Sequence, residues 1–420
     1  MRKIVRSIFV SLTFSVLVVI TWCGAQSKEV VLGAIYPMTG PTALGGEVAK
    51  FAIETAVDII NNKYDLDVPL ARTEGLPNLG GAKVRVIMMD HQGDPEKGLS
   101  AAEKLISQDK VTAIMGTYYS SVAAVVSQLC ERNQIPFMSL DSSSPTLHRR
   151  GFKWFFRPGP HDELFSHAMF EFMNDLQKKK GLRLKTIALL HEDTLFGADS
   201  ATAQTKFAQE FGYTIVADVR YRAKAVSMVS EVQKLKSANP DVLLATSYTS
   251  DAILILKTMK DLNYMPKILI GQDAGWSDPE FIREMGKDAE AITSRNVFAL
   301  DLAEKKPSIK AVNDLYRKRA TRDLTDNTSR ELMGTLVMAD AINRAGSTDP
   351  QTVRKALVET DIKPEQIILP WKGIRFGPDG QNIYANPIMT QWYQGDMVTV
   401  WPFEMAKINF VYPLPPWTGR

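Results

Sequence analysis

Short apolar runs alternate with longer amphipathic segments along most of this 420-residue sequence. Each apolar run has the length of a β-strand, and Pro37 stops the first one, which is typical of a buried parallel strand. The predicted strands are Val30–Tyr36, Lys83–Asp90, Val111–Gly116, Ile135–Leu140, Thr186–Leu190, Thr214–Arg220, Asp241–Thr246 and Lys267–Gly271. Because helical segments separate them, the pattern predicts doubly wound parallel sheets with helices on both faces. The series breaks near Gly159-Pro160, so we predict an α/β protein with two similar lobes.

The C-terminal third follows a different pattern. Three segments with helical spacing follow one another without a strand between them: Pro307–Ala320, Leu332–Ala345 and Pro350–Glu359. Two strand-like segments then flank a short Gly-containing turn, and they predict a hairpin of Ile388–Tyr393 and Met397–Trp401.

The first 25 residues are typical of a secretory signal peptide. Three positive charges precede an uncharged apolar stretch, Ile8–Ile20, and Cys23-Gly24-Ala25 supplies the small residues of a cleavage site. The apolar stretch is shorter than the roughly 20 residues that span a membrane. We therefore predict export to the periplasm. Lipid attachment at Cys23 is the less favoured alternative, because Trp22 is bulky where a small residue is preferred.

Removal of this segment makes the chain neutral. It takes away three of the 50 basic residues and none of the 47 acidic ones, which argues against a nucleic-acid partner. It also leaves Cys130 as the remaining cysteine, so we expect no internal disulfide.

The usual catalytic motifs are missing from the sequence. The first predicted strand is not followed by a GxGxxG loop, and there is no GxSxG elbow or phosphate loop with Gly-Lys-Ser/Thr. His191 and Glu192 begin an HExxH pattern, but Leu195 stands where its second histidine would be. The sequence therefore predicts a protein that is not an enzyme and that holds neither a metal nor a cofactor. A catalytic triad assembled in space stays open at this point.

Several short motifs, in order, resemble those of the leucine/isoleucine/valine-binding protein family. They are Ile35–Pro41 (IYPMTGP), Asp90–Pro95 (DHQGDP), Gly116–Ser121 (GTYYSS), Ser142–Pro145 (SSSP), Phe152–Arg157 (FKWFFR) and His191–Gly197 (HEDTLFG). The resemblance implies a type I periplasmic binding protein, in which a three-crossover hinge joins two lobes that close on a ligand. It implies that residues 28–160 and about 297–386 form lobe 1, and residues 161–296 and about 387–420 form lobe 2.

The resemblance and the helix starts together indicate a group of binding residues in lobe 1. Ser120 follows the third predicted strand, where a hydroxyl and free backbone N–H groups suit a carboxylate. Asp141, Ser142 and Ser143 follow the fourth strand, where the family contacts the carboxylate and the amine of its ligand. Helix capping is the alternative role for the serines.

The resemblance places further contacts in lobe 2. Asp273 stands where amino-acid binders carry an acid for the ligand ammonium, and its alternative role is a helix cap. Phe196 and Tyr248 occupy aromatic lid positions. Gly45 departs from the family pattern, which has a tyrosine there, and Tyr36 or Tyr118 could fill the space.

The leading functional prediction is therefore the binding component of an ABC importer for a branched-chain or larger hydrophobic amino acid. Its partners would be that small ligand and an inner-membrane permease, and the protein would be a monomer. An aromatic carboxylate, an amide or urea is an alternative ligand. A ligand sensor that signals to a separate membrane receptor is an alternative role.

Overall fold

The computed structural model describes residues 29–419, so the predicted signal peptide and Cys23 lie outside the described residues. Twelve strands run through this range: β1 Val30–Tyr36, β2 Val84–Asp90, β3 Ile114–Gly116, β4 Phe137–Ser139, β5 Phe155–Phe156, β6 Thr186–Glu192, β7 Thr214–Tyr221, β8 Val242–Thr246, β9 Ile268–Gly271, β10 Thr293–Asn296, β11 Ile388–Tyr393 and β12 Asp396–Trp401. Eleven α-helices accompany them in the described range: α1 Ala43–Asn61, α2 Pro95–Ser107, α3 Ser120–Asn133, α4 Asp162–Lys180, α5 Leu195–Phe211, α6 Val229–Ala238, α7 Thr249–Asp261, α8 Pro279–Met285, α9 Pro307–Ala320, α10 Asp326–Ala345 and α11 Pro350–Val358.

The first lobe is built on a five-stranded sheet in the order β2-β1-β3-β4-β5. All its described pairings are parallel, and Ile35 in β1 stands between Met89 of β2 and Gly116 of β3. The helices α1, α2 and α3 each follow one of its strands, as βαβ units require. The carboxyl ends of β1, β3 and β4 therefore point toward the same edge of the sheet.

The second lobe is built on a seven-stranded sheet in the order β12-β11-β10-β9-β8-β6-β7. The described pairings from β6 to β10 are parallel, whereas β11 runs antiparallel to both β10 and β12. The two sheets are thus doubly wound α/β lobes, as the sequence pattern predicts, and the C-terminal hairpin is added to the second.

The chain passes between the two sheets three times. Helix α4 lies between β5 of the first sheet and β6 of the second. After β10 the chain returns, and α9 and α10 pack against α1. It then enters the second sheet again at β11, which pairs with β10. Across residues 29–419, none of the helices has the length and apolar composition needed to cross a membrane.

Two elements differ from what periodicity predicts. Strand β10 has the sequence Thr-Ser-Arg-Asn, and all four residues are buried, because side-chain hydrogen bonds rather than apolar contacts satisfy them. Helix α10 begins at Asp326, earlier than the predicted Leu332. Thr325 and Thr328 form a capping box there, so a polar first turn starts the helix before its apolar repeat begins.

Candidate functional site

A small cavity lies between the two sheets, at the carboxyl ends of their parallel strands. Counted together with the solvent at its mouth, the space within it is about 260 Å³. Its lining comes from both lobes and consists of Tyr118, Asp141, Ser143, Phe196, Tyr248, Asp273, Ala274, Arg295 and Asn327. Ligands of open α/β sheets bind in this position, because the loops that follow the strands converge there.

Aromatic rings form one wall of the cavity. The ring centroid of Tyr248, just before α7, lies 5.4 Å from that of Phe196 and 5.8 Å from that of Tyr118. It also lies 4.2 Å from the ring of Tyr119, so a ring from each lobe stacks where the lobes meet. The hydroxyl groups of Tyr118 and Tyr248 are buried and have no hydrogen-bond partner among the described residues. This wall can hold an apolar group and still offers two free hydroxyls.

An acid pair stands on the side of the first lobe. Tyr36 Oη donates to Asp141 Oδ2 at 2.8 Å, and burial raises the pKa of Asp141 to about 6. Glu331 of α10 lies beside it, and burial together with the charge of Asp141 raises the pKa of Glu331 far above its usual range. A proton is therefore held on Glu331, and the pair carries one negative charge in all when Asp141 ionises.

Asp273 follows β9 on the side of the second lobe and is already ion-paired. Its Oδ2 lies 3.0 Å from Nη1 of Arg295 and 2.7 Å from Nη2 of Arg330. Arg330 comes from α10, so this carboxylate joins the lobes. Asp273 has a φ of +48°, in a region that L residues rarely adopt, and its side chain does not cap the turn that follows. The capping role weighed from sequence is thus not the contact made here.

The two arginines are fully buried and held on several sides. The guanidinium carbon of Arg295 lies 3.4 Å from the ring centroid of Phe165, and its Nη2 is 3.7 Å from Asp162 Oδ1. Arg330 Nη2 is 2.6 Å from Asp326 Oδ2, and Nη1 donates to the backbone carbonyl of Asp141 at 3.1 Å. The Nε atoms of both arginines have no acceptor among the described residues. Arg295 also lines the cavity, and its Nε is therefore the candidate donor for a ligand on this side.

The structure brings together six of the residues selected from sequence. Tyr118, Asp141, Ser143, Phe196, Tyr248 and Asp273 all line the cavity.

The other four stand behind the lining or beside it. The backbone N–H of Ser144 donates to Ser120 Oγ at 3.4 Å, and the carbonyl of Ser142 accepts from Arg157 Nη1 at 3.1 Å. Tyr36 supports Asp141. Gly45 lies in the first turn of α1, where an added Cβ would meet Tyr118 and Asp278, so Tyr118 is the aromatic residue nearest that space.

Sequence reasoning missed Ala274, Arg295 and Asn327 in the lining, and Arg330 and Glu331 behind it. A weak signal exists for two of them. Arg295 interrupts a short stretch between apolar residues, and Arg330 follows Asp326 at the i, i+4 spacing of a helical ion pair. Neither feature identifies Asp273 as the shared partner, because the fold brings Asp273 to Arg295 within the second lobe and to Arg330 across the two lobes.

Contacts between the lobes close the cavity. Ser144 Oγ of the first lobe donates to Asp199 Oδ2 of the second, and Arg330 of the first lobe donates to Asp273 of the second. Within residues 29–419, no cluster of three or more His, Cys, Asp or Glu side chains has a geometry that could hold a metal ion. The acids of the cavity are matched instead by arginines, hydroxyl groups and one another.

Comparison with known proteins gives a consistent result. A family model described as periplasmic binding protein matches residues 29–393. A Leu/Ile/Val-binding protein homologue 7 from Brucella suis biovar 1 (strain 1330) is 28% identical over 405 residues, covering 94% of this chain and 97% of the relative.

Two solved structures share the fold. A leucine-binding protein from Thermotoga maritima MSB8 aligns with a TM-score of 0.75 at 20% identity, covering 88% of this chain and 97% of that one. A solute-binding protein of an ABC transporter from Rhodopseudomonas palustris, in complex with benzoate, aligns with a TM-score of 0.74 at 16% identity, covering 89% and 95%. The resemblance inferred from the motifs and the predicted fold class are confirmed.

Proposed function

Because this chain belongs to the periplasmic binding protein family, we propose that it binds a branched-chain or larger hydrophobic α-amino acid for an ABC importer. One observation carries the proposal. The cavity between the lobes combines a wall of aromatic rings with charged groups of both signs, Asp141, Asp273 and Arg295. A ligand that satisfies such a lining has an apolar part, an anionic part and a cationic part, as a zwitterionic amino acid does.

The lining offers a partner for each part of an amino acid. The unpartnered Nε of Arg295 and the Ser143 backbone and hydroxyl suit a carboxylate. Phe196 and Tyr248 would cover the side chain. The buried carboxylates would receive the ammonium, because a buried charge is stable only when it is paired. Closure of the lobes would then remove the whole ligand from water.

The names of related proteins support this ligand class. The Brucella relative is named for leucine, isoleucine and valine, and the Thermotoga structure is that of a leucine-binding protein. We propose that the chain acts without catalysis, as an exported periplasmic monomer. The closed surface of both lobes would dock on an inner-membrane permease.

An aromatic carboxylate is the second candidate ligand. The Rhodopseudomonas palustris protein was solved in complex with benzoate, and the aromatic wall with Arg295 could hold such an acid. In that case Asp273 would serve only its two arginines, which already neutralise it.

Calorimetric titration of the mature chain tests the proposal. The protein is first unfolded and refolded to strip any bound ligand, and it is then titrated with L-leucine, L-isoleucine, L-valine, L-phenylalanine, benzoate, acetamide and urea. We expect submillimolar binding of at least one hydrophobic amino acid. Binding of benzoate alone would replace the ligand class and keep the transport role. Turnover of an ester, an amide or a phosphate would refute the non-enzymatic role.

A further inference from the structure

We propose that Asp141, supported by Glu331, receives the ammonium group of the ligand, and that Asp273 instead ties the two lobes together. This inference rests on the proposed function, since it assigns the partner of a cationic group that the ligand must carry. It also replaces the role that the family resemblance predicts for Asp273, which is to bind the ligand ammonium.

The contacts of Asp273 leave little of its charge for a ligand. Its Oδ2 accepts from both Arg295 and Arg330, at 3.0 Å and 2.7 Å. Both arginines are fully buried, so water does not screen these pairs. An ammonium group beside Asp273 would stand close to two fixed positive charges. The same pair instead links the two lobes, because Arg330 belongs to α10 of the first lobe and Asp273 to the second lobe.

Asp141 differs from Asp273 because no arginine pairs with its carboxylate among the described residues. It lines the cavity, and its Oδ2 accepts from the neutral Tyr36 hydroxyl. Its Oδ1 has no N–H or hydroxyl donor among the described residues. The neighbouring Glu331 carboxyl, with both of its oxygens buried and without such donors, can share one proton with it. Each carboxylate oxygen accepts more than one hydrogen bond, so this proton leaves room for an N–H of the ligand.

The buried ionisable groups around the cavity leave Asp141 as the acid for a cation. The fully or nearly fully buried acids there are Asp141, Asp162, Asp273, Asp278, Asp326 and Glu331. Arginine side chains pair with three of them, Asp162, Asp273 and Asp326. Burial raises the pKa of Asp278 to about 6 and holds a proton on Glu331. Among the described residues, Asp141 lines the cavity without an ion pair on its carboxylate, so it is the acid with which an incoming ammonium group can pair.

Ligand pairs that differ only in the amine test this assignment. L-Leucine and 4-methylpentanoate share a carboxylate and a carbon skeleton, so the ratio of their affinities reports the ammonium contact. In Asp141→Asn we expect this ratio to fall by about 10- to 100-fold, the range of a hydrogen bond to a charged group. In Asp273→Asn we expect both ligands to weaken by similar factors, because closure is impaired and the ratio is retained. Asp278→Asn is the matched control, since Asp278 is buried nearby but does not line the cavity, and its ratio should not change.

A measurement on the unmodified protein covers the possibility that a variant does not fold. The groups that face Asp141 are Tyr36, Glu331, Arg330 and, across the cavity, Asp273. Since the pKa of Asp141 is about 6, an ammonium group beside it would expel a proton at pH 6. Titrations in two buffers of different ionisation enthalpy should show proton release with L-leucine and none with 4-methylpentanoate.

The outcomes separate the inference from the proposed function. A collapsed affinity ratio in Asp273→Asn, with an unchanged ratio in Asp141→Asn, would overturn the inference and leave an amino-acid binder. Equal proton release with both ligands would also count against it. Failure of the unmodified protein to bind any amino acid would overturn the proposed function and this assignment with it.

Discussion

Two adjacent glycines at the start of α1 give opposite predictions for the same substitution. A Cβ added at Gly45 would lie 3.8 Å from Tyr118 Cε2 and 3.8 Å from Asp278 Oδ2, which is ordinary van der Waals contact. A Cβ added at Gly46 would lie 2.3 Å from the backbone oxygen of Pro37 and 2.7 Å from its carbonyl carbon. Real structures do not tolerate such distances, so the loop after β1 would have to move.

The magnitudes follow from helix propensity and packing. In a helix, Gly→Ala gains up to about 1 kcal/mol. We therefore expect Gly45→Ala to raise the free energy of unfolding by about 0.5–1 kcal/mol. Its L-leucine affinity should stay within about a factor of two of the unmodified protein. In Gly46→Ala the same gain is offset by overpacking against backbone. Because overpacking costs about 1–3 kcal/mol, the net change should be a loss of about 1–2 kcal/mol.

A larger side chain at Gly45 tests the approach of the lobes. Tyr118 belongs to the first lobe and Asp278 to the second, and Gly45 faces both. The side chain of Gly45→Leu would have to fit between them, so it should hinder closure more than folding. We expect its unfolding free energy to stay near that of Gly45→Ala and its ligand affinity to fall by about tenfold or more.

Urea unfolding followed by tryptophan fluorescence measures stability, and calorimetry measures affinity. Equal stabilities of Gly45→Ala and Gly46→Ala would refute the close contact between α1 and Pro37. Full ligand affinity in Gly45→Leu would show that the lobes do not close against this position.

Further predictions concern buried groups outside the ligand contacts. Burial raises the pKa of Asp278 to about 6, so its charged form is disfavoured in the folded state. Between pH 4 and pH 8 the unfolding free energy of the unmodified protein should fall by about 2 kcal/mol relative to Asp278→Asn, and an increase would contradict this. Burial also raises the pKa of the Cys130 thiol. A thiol reagent such as DTNB should therefore label it only after unfolding. Rapid labelling of the native chain would contradict its burial. The Glu192 carboxylate accepts from Thr194 Oγ1 at 2.8 Å and from the N–H of Gly197 at 2.7 Å. We therefore expect Glu192→Ala to lower the free energy of unfolding in urea by about 2–4 kcal/mol. A decrease below about 0.5 kcal/mol would contradict this capping role.

Periodicity predicts the apolar elements well, because strands that are buried on both faces are continuous apolar runs. Val30–Tyr36 and Ile388–Tyr393 have the predicted bounds, and Pro307–Ala320 is the predicted helix. Strand β10 could not be predicted in this way. Its Thr-Ser-Arg-Asn sequence is buried because Ser294, Arg295 and Asn296 find partners elsewhere in the fold.

The candidate site likewise has residues that the sequence predicts and residues that it does not. Loop residues after strands could be selected, since strand ends and helix starts are visible in the pattern and the family motifs mark them. The partners of these residues could not be predicted, because ion pairs such as Asp273–Arg330 join positions 57 residues apart. Whether an acid in a cleft is free for a ligand depends on such tertiary contacts. We expect Asp141 rather than Asp273 to bind the ligand ammonium, because Asp273 is already paired with two arginines.

The packing of α1 against α10 determines the order in which this protein can be completed during synthesis. Helix α1 has buried positions along its length, among them Ala52, Ile53, Ile59 and Ile60, and it packs on α9 and α10 more than 200 residues later in the chain. A growing chain therefore carries the apolar face of α1 uncovered while the whole second sheet up to β10 is being made. Contacts this distant in sequence fold slowly and leave aggregation-prone surface exposed. The second lobe can form its central strands early, whereas the first is finished only near the end.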